Sequence, residues 1–142
     1  MIVDASVLLR AFLPDETQPN ALAVVRDHVL GKIQIKAPAL LPYEINNAVW
    51  QAERRRRITS SQADRIIQSF SKLDIEIIPQ SWKKLLPLAR QFDRSAYDAA
   101  YLALAQETSQ PLLTGDLRLY NAVHPHLDWV MWIEDYPTES WI

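Results

Sequence analysis

Residues 1–13 read Met-Ile-Val-Asp-Ala-Ser-Val-Leu-Leu-Arg-Ala-Phe-Leu, and Pro14 closes the run. Met1-Ile-Val-Asp4 has the character of a short buried strand, and Ser6 to Leu13 that of a turn or two of helix stopped by proline. A strand that runs straight into a helix is the first half of a βαβ unit. The pattern returns late in the chain, where Pro111-Leu-Leu-Thr114 reads as a strand and Asp116 to Val123 as a short helix. Between them, Thr17 to Leu30 is predicted helical, with Gly31 where a C-terminal cap belongs. Ile33, Ile35 and Ala37 alternate as a strand does. Pro42 opens a helix that runs through Trp50 to an arginine block at 54–57. Thr59-Ser-Ser-Gln62 is a capping-box pattern for a helix carrying Ile66, Ile67, Phe70 and Leu73 on one side. Ile75, Ile77 and Ile78 form a strand ended by Pro79. Ser81 to Phe92 is predicted helical with a kink at Pro87, Ser95 to Glu107 is the clearest helix, and Val130 to Ile133 is the last strand. Strands alternating with helices imply a parallel sheet covered on both faces. The expected fold is one α/β domain over residues 1–142, a three-layer α/β/α sandwich with a short central parallel sheet. Residues 137–142 are expected to form a flexible C-terminal tail.

Composition narrows the chemistry. The chain has 142 residues, 49% of them hydrophobic, which excludes a disordered polypeptide, and no apolar run is long enough to span a membrane. Asp4 breaks the opening apolar stretch at once, so no secretory leader is expected and the cytoplasm is the expected location. There is no cysteine, which removes disulfide scaffolds, thiol catalysis and Cys-based zinc sites. With only Gly31 and Gly115, Gly-rich phosphate loops drop out. Three histidines leave little for His-centred catalysis, so the chemistry falls to carboxylates. Net charge is −2, yet residues 32–94 hold 12 Lys/Arg against 6 Asp/Glu, an asymmetry that points to a surface facing a polyanion or an acidic partner.

Four acids stand out by position. Asp4 ends the first strand and Asp116 follows the strand at 112–114, and ligand sites in open parallel sheets lie beyond the carboxyl ends of strands. Asp98 is the one ionisable group in Ala96-Tyr-Asp-Ala-Ala-Tyr-Leu-Ala-Leu-Ala105, a helix expected to be buried nearly all round. Glu44 sits in the first turn after Pro42, in another mostly apolar helix. Each also has a plain structural role open to it: Asp4 and Asp116 suit helix caps, Asp98 suits a capping box with Ser95, and Glu44 suits the positive end of a helix dipole. Together, however, four acids at one sheet edge repel one another and are costly to bury unpaired. A divalent cation removes the conflict. Oxygen-only ligands select hard ions, so Mg²⁺ or Mn²⁺ is expected, and such a cluster suits phosphoryl chemistry. Ser6 and Thr114, each two residues from one of the acids, are placed to orient them or their waters.

At these residues the sequence resembles the PIN-domain ribonucleases, in particular the VapC-type toxins of bacterial type II toxin–antitoxin pairs. Ile2-Val-Asp4-Ala-Ser6-Val-Leu-Leu is similar to the family's first motif, Tyr43-Glu44-Ile-Asn-Asn47 to the second, Tyr97-Asp98-Ala-Ala-Tyr101-Leu-Ala-Leu-Ala105 to the third and most specific, and Leu112-Leu-Thr114-Gly-Asp116 to the fourth. The resemblance covers almost the whole chain. It implies a Mg²⁺- or Mn²⁺-dependent endoribonuclease with Asp4, Glu44, Asp98 and Asp116 as its catalytic and metal-binding acids. It also implies an RNA substrate, a homodimer, and a small antitoxin protein as partner. The rival from another class is a non-catalytic module of the same fold that pairs with an antitoxin or holds RNA; a cluster of repelling acids is not needed for that. Two other carboxylate phosphotransfer folds do not match. A haloacid-dehalogenase-like phosphatase wants a second Asp where Ser6 stands, and a receiver domain wants an Asp ending a mid-chain strand, where Pro79 stands.

Three further features have plainer structural readings. Arg54 to Arg57 fan out over about 300° of a helix, so they cannot all grip one polyanion, and a solvated helix end is the plainer reading. His124-Pro-His126 lacks a third metal ligand and reads as surface loop. Trp129, Trp132 and Tyr136 suit packing, and Trp141 in the polar tail suits an interface anchor.

Overall fold

The computed structural model describes residues 1–139; Trp141 and the end of the tail lie outside the described residues. Five short strands, β1 (Ile2–Val3), β2 (Lys36–Pro38), β3 (Glu76–Ile78), β4 (Leu112–Thr114) and β5 (Val130–Trp132), form one sheet in the order β3-β2-β1-β4-β5. Every pairing is parallel, with Ile2 opposite Lys36 and Leu112, and Leu112 opposite Val130. Seven helices connect and cover it: α1 (Ala5–Phe12), α2 (Pro19–Val29), α3 (Leu41–Arg54), α4 (Ser60–Lys72), α5 (Leu85–Phe92), α6 (Ala96–Thr108) and α7 (Leu117–Val123). The three-layer α/β/α expectation holds. Among the described residues no helix is long and apolar enough to cross a membrane.

Strand order places the site. From β1 the chain steps outward to β2 and β3, then returns past β1 to β4 and β5. Right-handed crossovers therefore send α1 to α4 to one face and α5 to α7 to the other. The reversal falls between β1 and β4, whose following loops diverge to opposite faces. That is the topological switch point, and the crevice beyond it is where open α/β sheets bind ligands. The central strand is wholly buried, as are Leu112 and Leu113 beside it. The middle of α6, Ala99 to Ala105, is buried throughout and lies against β1, β2 and β4. Its small residues let the helix approach the sheet closely.

Local rules explain most boundaries. Thr59 and Gln62 form the complete capping box at the start of α4. Gly31 takes φ +75° just after α2, the left-handed cap that glycine adopts without penalty. His28 is spent inside the fold: Nδ1 accepts from the Ile35 N–H and Nε2 faces the Leu73 carbonyl, tying α2 to the strands beside it. Burial works against the charge of Asp27, yet the Tyr136 hydroxyl at 2.6 Å and Arg26 hold its carboxyl below the usual range. Arg26 also donates to the Thr138 carbonyl.

Some boundaries moved. The helix expected from Ser81 begins at Leu85, which places Pro87 in its first turn. The first-turn N–H groups of a helix have no intrahelical partner, so the proline costs nothing there and produces no kink. The strand expected over 33–37 is Lys36–Pro38, and the second helix starts at Pro19. With two glycines in the chain, four helices end on left-handed residues that carry side chains: Arg56, Asp74, Asp93 and Ser109. Replacing Ser109 (φ +52°) by glycine removes a Cβ clash. We expect Ser109→Gly to raise stability by up to about 1 kcal/mol in urea unfolding, and an unchanged or lower midpoint would refute the strain at this cap.

Candidate active site

Asp4, Ser6, Glu44, Asp98 and Asp116 line one cleft of about 300 Å³ at the switch point, together with Leu9, Asn47 and Tyr101. Four helix N-termini meet there. Asp4 is the N-cap of α1 and Asp116 that of α7, while Glu44 and Asp98 stand in the first turns of α3 and α6. The capping roles open to Asp4 and Asp116 are therefore real, and they coincide with positions in the cleft. The positive ends of four helix dipoles offset part of the acids' mutual repulsion. The Ser95–Asp98 pair is half formed: Ser95 Oγ accepts from the Asp98 N–H at 3.0 Å, while the Asp98 carboxylate is left to the cleft.

Asp4 is buried, and its oxygens are held from three sides. Ser6 donates its hydroxyl to Oδ1, Thr114 donates to Oδ2, and the Val7 N–H reaches Oδ1 at 3.4 Å. Thr114 lies wholly buried behind the cleft, so its part is to orient Asp4 rather than to face a ligand. The same two hydroxyls organise the opposite loop. The Gly115 N–H donates to Ser6 Oγ at 2.8 Å and the Asp116 N–H to Thr114 Oγ1 at 3.0 Å. Asp116 Oδ1 in turn accepts from Arg118 and Leu119 N–H. Gly115 stands close to Arg10: a Cβ there would lie 3.0 Å from Arg10 Nη1, so the guanidinium would have to shift by a few tenths of an ångström. The Arg10 guanidinium is seated over the Trp132 ring at 5.9 Å.

Sequence reasoning missed Tyr101 and Asn47 as cleft residues. The Tyr101 hydroxyl donates to Glu44 Oε1 at 2.6 Å, fixing a carboxylate on α3 from α6. Both were visible as i,i+3 neighbours of acids already singled out, Tyr101 of Asp98 and Asn47 of Glu44, and such neighbours share a helix face. Burial and the adjacent Glu44 keep the Tyr101 phenol protonated, so it acts only as a donor.

Burial pushes the Asp4 carboxyl up to about 6, against the hydrogen bonds that favour its charge, with Asp116 adding to the rise. Desolvation likewise raises Glu44, with Asp4 and Asp98 as further causes, and raises Asp98, with Asp116 as a further cause. Among the described residues none of the four forms an ion pair; Arg94 eases only the charge on Asp98. An all-oxygen donor set with unbalanced negative charge fits a hard divalent cation. Among the described residues no three acidic or histidine side chains are drawn together closely enough to hold a metal ion as they stand. Asp4, Glu44 and Asp116 are each engaged with neighbours of their own, and the Asp98 carboxylate stands in the cleft.

Other candidates fall away from the cleft. Arg57 pairs bidentately with Asp15 (2.7 and 2.9 Å) and lies 3.4 Å from Glu16, and Arg54 packs over Trp50. His124 stacks on Tyr120 and His126 lies against Phe92, both exposed beyond α7.

The PIN domain family model matches residues 1–124. The chain belongs to the PIN-domain family. Over 124 residues it is 29% identical to Ribonuclease VapC3 of Pyrobaculum aerophilum, covering 84% of this chain and 91% of that protein. It is 31% identical over 121 residues to Ribonuclease VapC9 of Mycobacterium tuberculosis, covering 84% and 87%. It is 32% identical over 120 residues to Ribonuclease VapC1 of the same organism, covering 83% and 86%. The crystal structure of PAE2754 from Pyrobaculum aerophilum matches with a TM-score of 0.70 at 22% identity, over 94% of this chain and 88% of that one. That likeness carries the fold.

Two predictions follow from the geometry of this PIN domain. The folded Asp4 carboxyl titrates near 6 and its unfolded counterpart near 3.9, so between these values the folded state binds more protons and stability falls as pH rises. Metal-free protein should lose on the order of 3 kcal/mol between pH 4 and 7 from this group. Urea unfolding in EDTA should show the slope in wild type and a shallower one in Asp4→Asn; equal slopes would refute the assignment. Tyr101→Phe strips the donor from the half-buried Glu44 side chain and should cost about 1–3 kcal/mol in urea unfolding. Wild-type stability in that variant would show that the hydroxyl does not hold Glu44.

Proposed function

We propose that the chain is a metal-dependent endoribonuclease, the toxin of a toxin–antitoxin pair, hydrolysing RNA phosphodiester bonds in the cleft of Asp4, Glu44, Asp98 and Asp116. The observation that carries this reading is four carboxylates on helix N-termini at the switch point with no ion pair among them. The names of the relatives support RNA as substrate and an antitoxin as partner. Mg²⁺ or Mn²⁺ is the cation that suits the donors, and a homodimer is the proposed assembly.

When bound, such a cation supplies Lewis acidity, offsetting phosphate charge and making water a better nucleophile. The residues divide the remaining work. Asp4, clamped by Ser6 and Thr114, and Asp116, pinned by backbone N–H groups, are the rigid holders of the cation, both anchored on strand ends. Asp98 approaches from α6 and closes the set. Glu44 has Oε1 occupied by Tyr101, which leaves Oε2 to orient the attacking water and take its proton. The raised proton affinity of Glu44, caused by desolvation and the neighbouring Asp4 and Asp98, suits a proton acceptor.

The test is cleavage of a broad RNA pool by antitoxin-free protein in Mn²⁺, Mg²⁺ or EDTA, with Asp98→Asn alongside. Cutting should require the cation and fall at least ~100-fold in the variant, because Asn keeps the shape and loses the charge. Full activity in EDTA or in Asp98→Asn would overturn the reading.

A further inference from the structure

We propose that Tyr43 and Tyr97 form a stacking subsite for the nucleobase beside the bond that is cut. This rests on the nuclease reading and deepens it by assigning the neighbouring surface to one part of the substrate.

Tyr43 immediately precedes Glu44 in the first turn of α3, and Tyr97 immediately precedes Asp98 in the first turn of α6. Consecutive helical residues point about 100° apart, so a side chain next to one that enters the cleft stands on its rim. Both rings are exposed, at 78% and 67%. With Leu40, Glu44 and Asn47 they line a second cleft of about 360 Å³, and Glu44 and Asn47 line the acidic cleft as well, so the two are continuous. Neither phenol hydroxyl has a hydrogen-bond partner among the described residues. Among the described residues no hydrogen bond, ion pair or ring contact engages these two side chains.

The chemistry of this cleft selects its occupant. No lysine or arginine lines it, and Glu44 borders it, so a phosphate is repelled. The uncharged face of a base is not. Aromatic rings stack on any base, and the Asn47 amide offers both a donor and an acceptor to a base edge. A strand whose scissile phosphate lies among the four acids carries its adjacent base over these rings. Bases in a duplex are already stacked and paired, so the subsite takes only an unpaired nucleotide. The other occupant of exposed aromatic surface is a second copy of the chain, and the experiment separates the two.

Binding of unstructured oligoribonucleotides is measured with Mg²⁺ in an Asp98→Asn background, so that the strand is held and not cut. Tyr43→Ala and Tyr97→Ala should each weaken binding ~10- to 100-fold, while Tyr43→Phe and Tyr97→Phe bind like the parent. An abasic nucleotide at the stacked position should weaken the parent equally and leave the alanine variants no weaker. Sedimentation velocity runs alongside. Alanine variants that bind like the parent overturn the subsite, as do losses that affect a full duplex equally or that follow a change in oligomeric state. Wild-type protein that cuts no RNA of the pool in Mg²⁺ or Mn²⁺ overturns the nuclease reading together with it.

Discussion

A carboxylate buried at the end of the central strand is costly to keep charged. Asp4 is tolerated there because two hydroxyls and a backbone N–H meet its oxygens, and because it caps α1. The arrangement works in both directions. Ser6 accepts from the Gly115 N–H across the crevice and Thr114 from the Asp116 N–H of its own loop while both donate to Asp4, so one acid links the ends of β1 and β4. The crevice at the switch point is therefore held open by hydrogen bonds. The two acids carried on strand ends are held firmly, and the two carried on helices are brought to them by α3 and α6, which the Tyr101–Glu44 bond fastens together.

The charge pattern of the sequence takes on a different meaning once folded. Part of the basic middle of the chain is occupied with acids: Arg57 with Asp15 and Glu16, Lys36 with Glu76. Surface pairs of this kind contribute little stability, but they remove cations from any polyanion-binding face. The arginines nearest the cleft are Arg10, against Gly115, Arg118, beside Asp116, and Arg94, which acts on Asp98. They come from three separate parts of the chain. A balance counted along the sequence cannot find them, because proximity to the cleft is decided by the loops after β1 and β4.

How much of this was legible beforehand depends on the kind of signal each residue carries. Asp4 and Asp116 stood out because strand-to-helix junctions are written in local hydrophobic pattern, and Asp98 because a single acid in an apolar helix needs a reason. The capping box at Thr59 was readable for the same local cause. Tyr101 was legible only through its i,i+3 spacing from Asp98, since an apolar helix otherwise hides one hydrogen-bonding tyrosine among packing residues. Pro87 misled because the true start of α5 lies at Leu85, with no side-chain cap to announce it. The strand at β2 slid to Lys36–Pro38 since its pairing with the ends of β1 and β3, rather than alternation, sets where a ladder begins.

The left-handed residues that close α3, α4, α5 and α6 bear on how the domain comes apart. A helix closed by glycine adopts a left-handed cap without penalty, whereas Arg56, Asp74, Asp93 and Ser109 carry the steric cost of a Cβ there, which the folded surroundings offset. That offset is lost as soon as the neighbours leave. Local opening at one helix thus loosens the boundaries of the next. Unfolding is expected to be a single cooperative event, with few partly folded forms that keep an intact cleft.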